Sequence, residues 1–129
     1  MKLYHGSANT NIKIKSQYPS RYGFTALFLT EDQNLALNYA KHKRGALYEV
    51  EIMHPEIKLN FGGKSTYHHH QDFIKILKYY KNMGYPSIRI NNALVSPNIK
   101  TIAPGIYSIV VVFNPKIITN IKKISTHRR

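Results

Sequence analysis

The chain has 129 residues, no cysteine and a net charge of +13, because 19 Lys and Arg residues outnumber six acids. This length allows one domain, and the lack of cysteine excludes disulfides and thiolate metal sites. No apolar run is long enough to cross a membrane, and the first residues do not resemble a signal peptide. The sequence therefore predicts a single cytoplasmic domain over residues 1–129 with no membrane contact.

The hydrophobic patterns predict an α+β fold in which two main helices pack against mostly antiparallel strands. In chain order they predict a strand at 1–5, a long loop at 7–25, a strand at 26–29, a helix at 31–44, strands at 46–52 and 56–61, a helix at 71–83 that stops at Gly84, a strand at 87–90, a polar loop at 91–104, strands at 106–113 and 117–124, and a basic tail. The run 106–113 is apolar almost throughout, which predicts a central strand buried on both faces.

The start of the first helix has the clearest local pattern. Thr30 is a good N-cap, and Gln33 stands three residues later, where a capping-box partner belongs. Glu31 and Asp32 fall in the predicted first turn, where acids complement the helix dipole, and Gly45 is the predicted stop.

The positive charge is unevenly distributed. All six acids lie at or before position 72, so residues 73–129 hold ten Lys or Arg residues and no carboxylate. Such a basic segment favours a polyanionic partner, RNA or DNA above all, because binding releases condensed counterions. The alternative is a solvated lysine-rich surface without a partner.

Three consecutive histidines, His68, His69 and His70, invite a metal interpretation. Side chains at successive positions of a helix or a strand point in different directions, so the three cannot converge on one ion. The sequence predicts a polar helix entry here and no metal site.

Five segments of the chain form a recognisable set when taken in order: Tyr4-His5-Gly6-Ser7, Gly23 with 26–30, 36–40, Gly84-Tyr85 and 110–115. Together they resemble the ADP-ribosyltransferase fold. The resemblance is to its diphtheria-toxin-like branch, which includes the poly(ADP-ribose) polymerases and small phage and bacterial toxin domains. It implies a split β-sheet, NAD as co-substrate and nicotinamide as leaving group.

The resemblance also implies roles for individual residues. His5 would hold the hydroxyl of the adenine-side ribose, and the Gly6 backbone would clamp the nicotinamide amide. Phe28 and Tyr39 would sandwich the nicotinamide ring, since aromatic faces hold a flat cation well. Arg21 lies in the loop that would cover the phosphates. The implied NAD-binding residues are His5, Gly6, Ser7, Arg21, Phe28 and Tyr39, of which His5 and Tyr39 are the implied catalytic pair.

The chain departs from the family at the catalytic carboxylate. The family glutamate, which stabilises the oxocarbenium-like transition state, falls on Ile109. Some mono-ADP-ribosyltransferases also carry isoleucine at this position and are thought to use a carboxylate from their target. The resemblance thus implies single transfer or loss of activity. We hypothesise that a phosphate of a nucleic-acid target supplies the missing negative charge. The carboxylate of Glu49 or Glu51 is the alternative source.

Two functions follow from these residues. The first is a mono-ADP-ribosyltransferase acting on nucleic acid or on an acidic, nucleic-acid-associated protein, as a toxin or phage-conflict effector would. The second is an inactive module that binds RNA or DNA, in which His5 is a hydrogen-bonded strand residue and both aromatics are core. An open aromatic cleft beside His5 would favour the first; a cleft filled by Phe28, Tyr107 or the 91–104 loop would favour the second.

Overall fold

A computed structural model of the chain describes residues 1–12, 24, 26–95 and 104–127. These residues form one α+β domain, as the sequence predicts. The elements are β1 (Lys2–Ser7), β2 (Leu27–Thr30), α1 (Gln33–His42), β3 (Ala46–Ile52), β4 (Ile57–Asn60), α2 (His70–Asn82), β5 (Ser87–Val95), β6 (Gly105–Val112), a short 3₁₀ turn (Pro115–Ile117) and β7 (Ile118–Thr126).

The described strands form one seven-stranded sheet in the order β4-β5-β6-β2-β1-β3-β7. The prediction of a split sheet is therefore wrong, although β1 and β2 meet through one register pair, Tyr4 with Thr30. This narrow junction is called the seam below. Neighbouring strands are antiparallel except β4 and β5, which are parallel because α2 forms the crossover between them.

The core lies on both faces of the sheet. One face buries Leu3, Leu29, Tyr48, Val50 and Val110 in a first cluster. On the other face, Leu47 is buried with Ala36 and Ala40 of α1, and a further cluster beneath α2 includes Phe73, Leu77, Ile88, Ile90 and Val111. The predicted alternation of β3 is confirmed, because Tyr48 and Val50 face one way and Leu47 the other.

The predicted capping box of α1 is wrong. Thr30 remains in β2, where it pairs with Tyr4 and Ile109, so it cannot begin a helix. Asp32 is the N-cap instead, and its Oδ1 accepts a hydrogen bond of 2.9 Å from the Leu35 amide. Glu31 and Asp32 therefore precede the first turn of α1.

The end of α1 also differs from the prediction. Arg44, and not Gly45, takes the left-handed conformation, with a φ of 54°. Gly45 is needed for a different reason: a Cβ there would overlap the carbonyl oxygen of Ser7 and lie 2.7 Å from Ala8 Cα. The glycine thus allows the end of α1 to pack directly on the end of β1.

The second half of the chain confirms α2 and corrects its flanking strands. Gly84 ends α2 with a φ of 89°, as predicted. The polar loop predicted at 91–104 is wrong for 91–95, which continue β5 past a bulge at Asn92 with a φ of 55°. Burial on both faces of β6 holds for Val110–Val112 only, since Ile106 is 55% exposed.

Tyr48 fixes the segment that follows β1. Its ring is 1% exposed, and its hydroxyl donates to the Asn9 carbonyl at 2.7 Å and accepts from the Ile12 amide at 3.0 Å.

We expect Tyr48→Phe to lower the free energy of unfolding by about 1–3 kcal/mol in urea denaturation, because two backbone groups lose their partner. Tyr79→Phe, on the exposed face of α2, is the control; equal stability of the two variants would contradict this assignment.

Candidate active site around His5

His5 lies at the seam of the sheet. Its imidazole forms a hydrogen bond with the carbonyl oxygen of Phe28, which lies two residues before Thr30 on β2. The distance from Nδ1 to that oxygen is 2.7 Å. A carbonyl oxygen can only accept, so Nδ1 bears the proton and Nε2 of the neutral ring is left as an acceptor. The structure thus assigns the tautomer of His5.

The surroundings of His5 favour the neutral ring. Burial lowers the pKa of His5 below its ordinary value of 6.5, and the positive charge of Lys43 lowers it further. The hydrogen bond to Phe28 opposes these effects only in part. At neutral pH the imidazole can therefore accept a hydrogen bond from a hydroxyl group.

The lowered pKa predicts a dependence of stability on pH. Below pH 6.5 the unfolded chain takes up a proton at this residue before the folded chain does, so this contribution to stability is lost as the pH falls. We expect the difference in unfolding free energy between wild type and His5→Gln to shrink between about pH 7 and pH 5 in urea titrations. His54→Gln, at an exposed position, is the control; a constant difference for His5→Gln would contradict the assignment.

Gly6 brings β1 into direct contact with α1. A Cβ at Gly6 would overlap the Ala36 carbonyl oxygen and lie 2.8 Å from the Ala40 nitrogen and 3.0 Å from Tyr39 Cβ. Tyr39 is half-buried, and the Lys43 ammonium lies 5.6 Å from the centre of its ring. The structure therefore packs Gly6, the residue after His5, against Tyr39, and gives Gly6 a packing reason of its own.

The other predicted residues are placed less directly. Ser7 ends β1, and its hydroxyl accepts from the Asn9 amide at 3.0 Å. The half-buried Phe28 ring packs against the core cluster beneath α2, while the Phe28 carbonyl holds His5. Arg21 lies outside the described residues. Phe28 thus serves the core and the orientation of His5.

Ile109 occupies a regular position in β6. It pairs with Thr30 on one side and Ile90 on the other, and it packs against the core cluster beneath α2. Glu49 and Glu51 belong to β3, three strands from β6 in the sheet order. At about 4.8 Å per strand they lie roughly 14 Å away, so neither replaces a carboxylate at Ile109.

Sequence reasoning missed an open groove where β2 ends and β6 begins. Its volume is about 310 Å³, and none of the five predicted residues that the structure describes lines it. The Glu31 carboxylate in this groove pairs with the guanidinium of Arg89 on β5. The only sequence signal was an acid at position 31, in the predicted first turn of a helix. The lining residues are Thr30, Glu31, Asp32, Ile106, Tyr107 and Ser108.

Basic side chains are exposed on both helices. Lys41, Lys43 and Arg44 lie at the end of α1, close to Tyr39. Lys75 and Lys78 are exposed on α2, beside Tyr79, which is 58% exposed. These surfaces combine charge with an aromatic face, which are the two features that bind single-stranded nucleic acid.

The histidine run begins α2, as predicted. His69 is the N-cap residue and His70 the first helical residue. Within the ranges that the structure describes, no three His, Asp or Glu side chains are grouped to hold a metal ion. None of the helices in those ranges is long and apolar enough to span a membrane.

The comparisons with known proteins add no further information about the site. No protein family, curated protein or solved structure matches the chain. Function is therefore inferred from the residues around His5.

Proposed function

We propose that the protein is a mono-ADP-ribosyltransferase that takes NAD as donor and modifies nucleic acid or a nucleic-acid-associated protein. The observation that supports this most is the hydrogen bond from His5 Nδ1 to the Phe28 carbonyl. It holds a neutral imidazole with Nε2 as an acceptor, which suits the binding of a ribose hydroxyl.

The contact between β1 and α1 supports the same proposal. Because Gly6 lacks a side chain, Tyr39 lies directly against the backbone beside His5. In the proposed complex the nicotinamide ring stacks on Tyr39, and its amide bonds the Gly6 backbone. An aromatic face attracts the positively charged ring of NAD more than the neutral nicotinamide product.

The proposed reaction is a transfer at one carbon atom. The bond between the nicotinamide nitrogen and ribose C1′ breaks, and its electron pair goes to the nitrogen. A lone pair of the acceptor then forms the new bond to C1′, and the acceptor proton passes to solvent. With Ile109 at the position of the family glutamate, single transfer is proposed rather than polymer synthesis.

The basic groups support a nucleic-acid acceptor. Lys41, Lys43 and Arg44 are exposed at the end of α1 that holds Tyr39. A phosphate backbone bound there lies next to the proposed nicotinamide site. Neutralisation of several phosphates makes such binding strongly dependent on salt.

Labelled NAD tests the proposal. The purified protein is incubated separately with total RNA, single-stranded DNA, double-stranded DNA and a cell protein extract, at low and high salt. We expect label on a nucleic acid or on nucleic-acid-associated proteins, with less label at high salt. No label on any polymer, together with no affinity for NAD, would overturn the proposal.

A second candidate is a nucleic-acid-binding module without NAD turnover. Two observations favour it: Ile109 offers no carboxylate, and the half-buried Phe28 ring packs against the core cluster beneath α2. This candidate predicts salt-sensitive binding of RNA or DNA by a protein that leaves NAD intact. The same experiment therefore separates the two candidates.

A further inference from the structure

The outer side of α2 carries a stripe of polar, basic and aromatic side chains. Five exposed residues recur three or four positions apart along the helix, so they share one side of it. They are Gln71, Lys75, Lys78, Tyr79 and Asn82, called the α2 stripe below. On the opposite side, Phe73 and Leu77 are buried in the core cluster beneath α2. This packing holds the α2 stripe toward solvent.

Tyr79 presents an aromatic ring whose orientation is supported by its neighbours. The residue is 58% exposed, and its ring makes a T-shaped contact with the ring of Tyr80, with 5.0 Å between the two centres. The Tyr80 ring in turn contacts that of Tyr85, with 5.7 Å between centres. An exposed ring that is already held in this way loses little conformational entropy when a flat partner stacks on it.

The charge of the α2 stripe is positive beyond its first turn. Asp72 is the only carboxylate of α2, and its Oδ2 lies 3.7 Å from Nδ1 of His69 at the start of the helix. From residue 73 onward the chain holds no acid. Within the described part of the chain, neither Lys75 nor Lys78 forms an ion pair. Both ammonium groups are therefore available to the phosphates of a bound polyanion.

We propose that the α2 stripe binds single-stranded RNA or DNA, with one base stacked on Tyr79 and neighbouring phosphates held by Lys75 and Lys78. A base in a single strand has a free face for such stacking, whereas the bases of a duplex are stacked on one another. The amides of Gln71 and Asn82 can bond sugar or base atoms. The choice of nucleic acid as partner rests on the proposed function.

The position of α2 on the sheet suits the proposed reaction. Both helices cover the same face, where α2 packs on β5 and α1 packs on β1 and β3. Three strand spacings separate β5 from β1, which is about 14 Å. A single strand of several nucleotides bound on the α2 stripe can therefore extend to Tyr39 on α1.

Fluorescence anisotropy with a labelled single-stranded oligonucleotide, in the absence of NAD, tests this inference. We expect Tyr79→Ala to weaken binding about 10- to 100-fold with no change in salt dependence, and Tyr79→Phe to bind as wild type because its ring still stacks. Lys75→Ala should weaken binding and reduce the slope of log Kd against log salt by about 0.7, the value for one phosphate contact on a single strand. A duplex of the same sequence should bind more weakly.

Lys58→Ala is the matched control for the charge. Lys58 is exposed on β4 between Ile57 and Leu59, which pack against the cluster beneath α2, so Lys58 lies on the other face of the sheet. This variant removes the same charge and should keep the wild-type slope. Equal affinity of Tyr79→Ala and wild type, equal slopes of Lys75→Ala and Lys58→Ala, or tighter binding of the duplex would each overturn the role of the α2 stripe.

The labelling assay separates this inference from the transferase proposal. A wild type that binds the oligonucleotide through Tyr79 and leaves NAD intact supports the α2 stripe and overturns the transferase alone. Transfer of ADP-ribose to single-stranded nucleic acid at equal rates by wild type and Tyr79→Ala supports the transferase and overturns the role of the α2 stripe alone.

Discussion

Gly6→Ala is expected to lower the free energy of unfolding by about 3 kcal/mol or more, among the largest effects of any single substitution in the chain. The added methyl group would overlap the Ala36 carbonyl oxygen and lie 2.8 Å from the Ala40 nitrogen. Both are backbone atoms of α1, so neither can move away without shifting the helix. Urea denaturation of wild type and variant measures the loss.

Gly105→Ala is the matched control for this effect. A Cβ at Gly105 would approach only the ring of Tyr107, at 3.0 to 3.2 Å, and the end of a side chain can rotate away. We expect this variant to lose less than about 1 kcal/mol. Equal stability of Gly6→Ala and wild type would mean that β1 and α1 are not packed as described.

His5→Ala is expected to reduce NAD affinity by about 10- to 100-fold, and ADP-ribose transfer with it, because the proposed hydrogen bond to the ribose is lost. The variant also leaves the Phe28 carbonyl without its partner, so His5→Gln serves as a second variant that restores a donor to that oxygen. His54→Ala, at an exposed position, should behave as wild type. Calorimetric titration with NAD and the labelling assay provide the two readouts.

Tyr39 gives the same prediction a second, independent test. Tyr39→Phe keeps the ring that stacks on nicotinamide and should retain transfer, whereas Tyr39→Ala should lose it. If Tyr39→Ala and His5→Ala both bind NAD as wild type does, the site does not lie between β1 and α1. If both variants unfold, His5→Gln and Tyr39→Phe decide the question.

Local patterns predicted most of the elements. The alternation of β3 and the end of α2 at Gly84 depend on a few neighbouring residues, and both are confirmed. The predicted N-cap, Thr30, was wrong because pairing across the sheet keeps it in β2, and Asp32, which also suits the N-cap position, takes that role. β5 was predicted too short because its asparagines have partners that the sequence does not show: Asn91 accepts from Arg89 and Ser108, and Asn92 donates to Asn60.

The site was predictable only where short motifs mark it. The resemblance pointed to His5, Gly6 and Tyr39 together, and the structure packs Tyr39 against Gly6, the residue after His5. The partner of the His5 side chain is a backbone carbonyl 23 residues away, which no local pattern reveals. The pairing of Glu31 with Arg89 depends on the order of strands, so the sequence could describe Glu31 only as an acid near a helix start.

The most direct test of the proposed NAD site is a nuclear magnetic resonance titration of the ¹⁵N-labelled protein with NAD, in which backbone amides and histidine side chains are followed together. We predict that the largest shifts fall on the Gly6 and Tyr39 amides and on the His5 imidazole. Nicotinamide mononucleotide, which lacks the adenosine moiety, should shift the Tyr39 amide but leave the His5 imidazole nearly unmoved. Shifts confined to the lysines of α2, or no shifts at millimolar NAD, would contradict it.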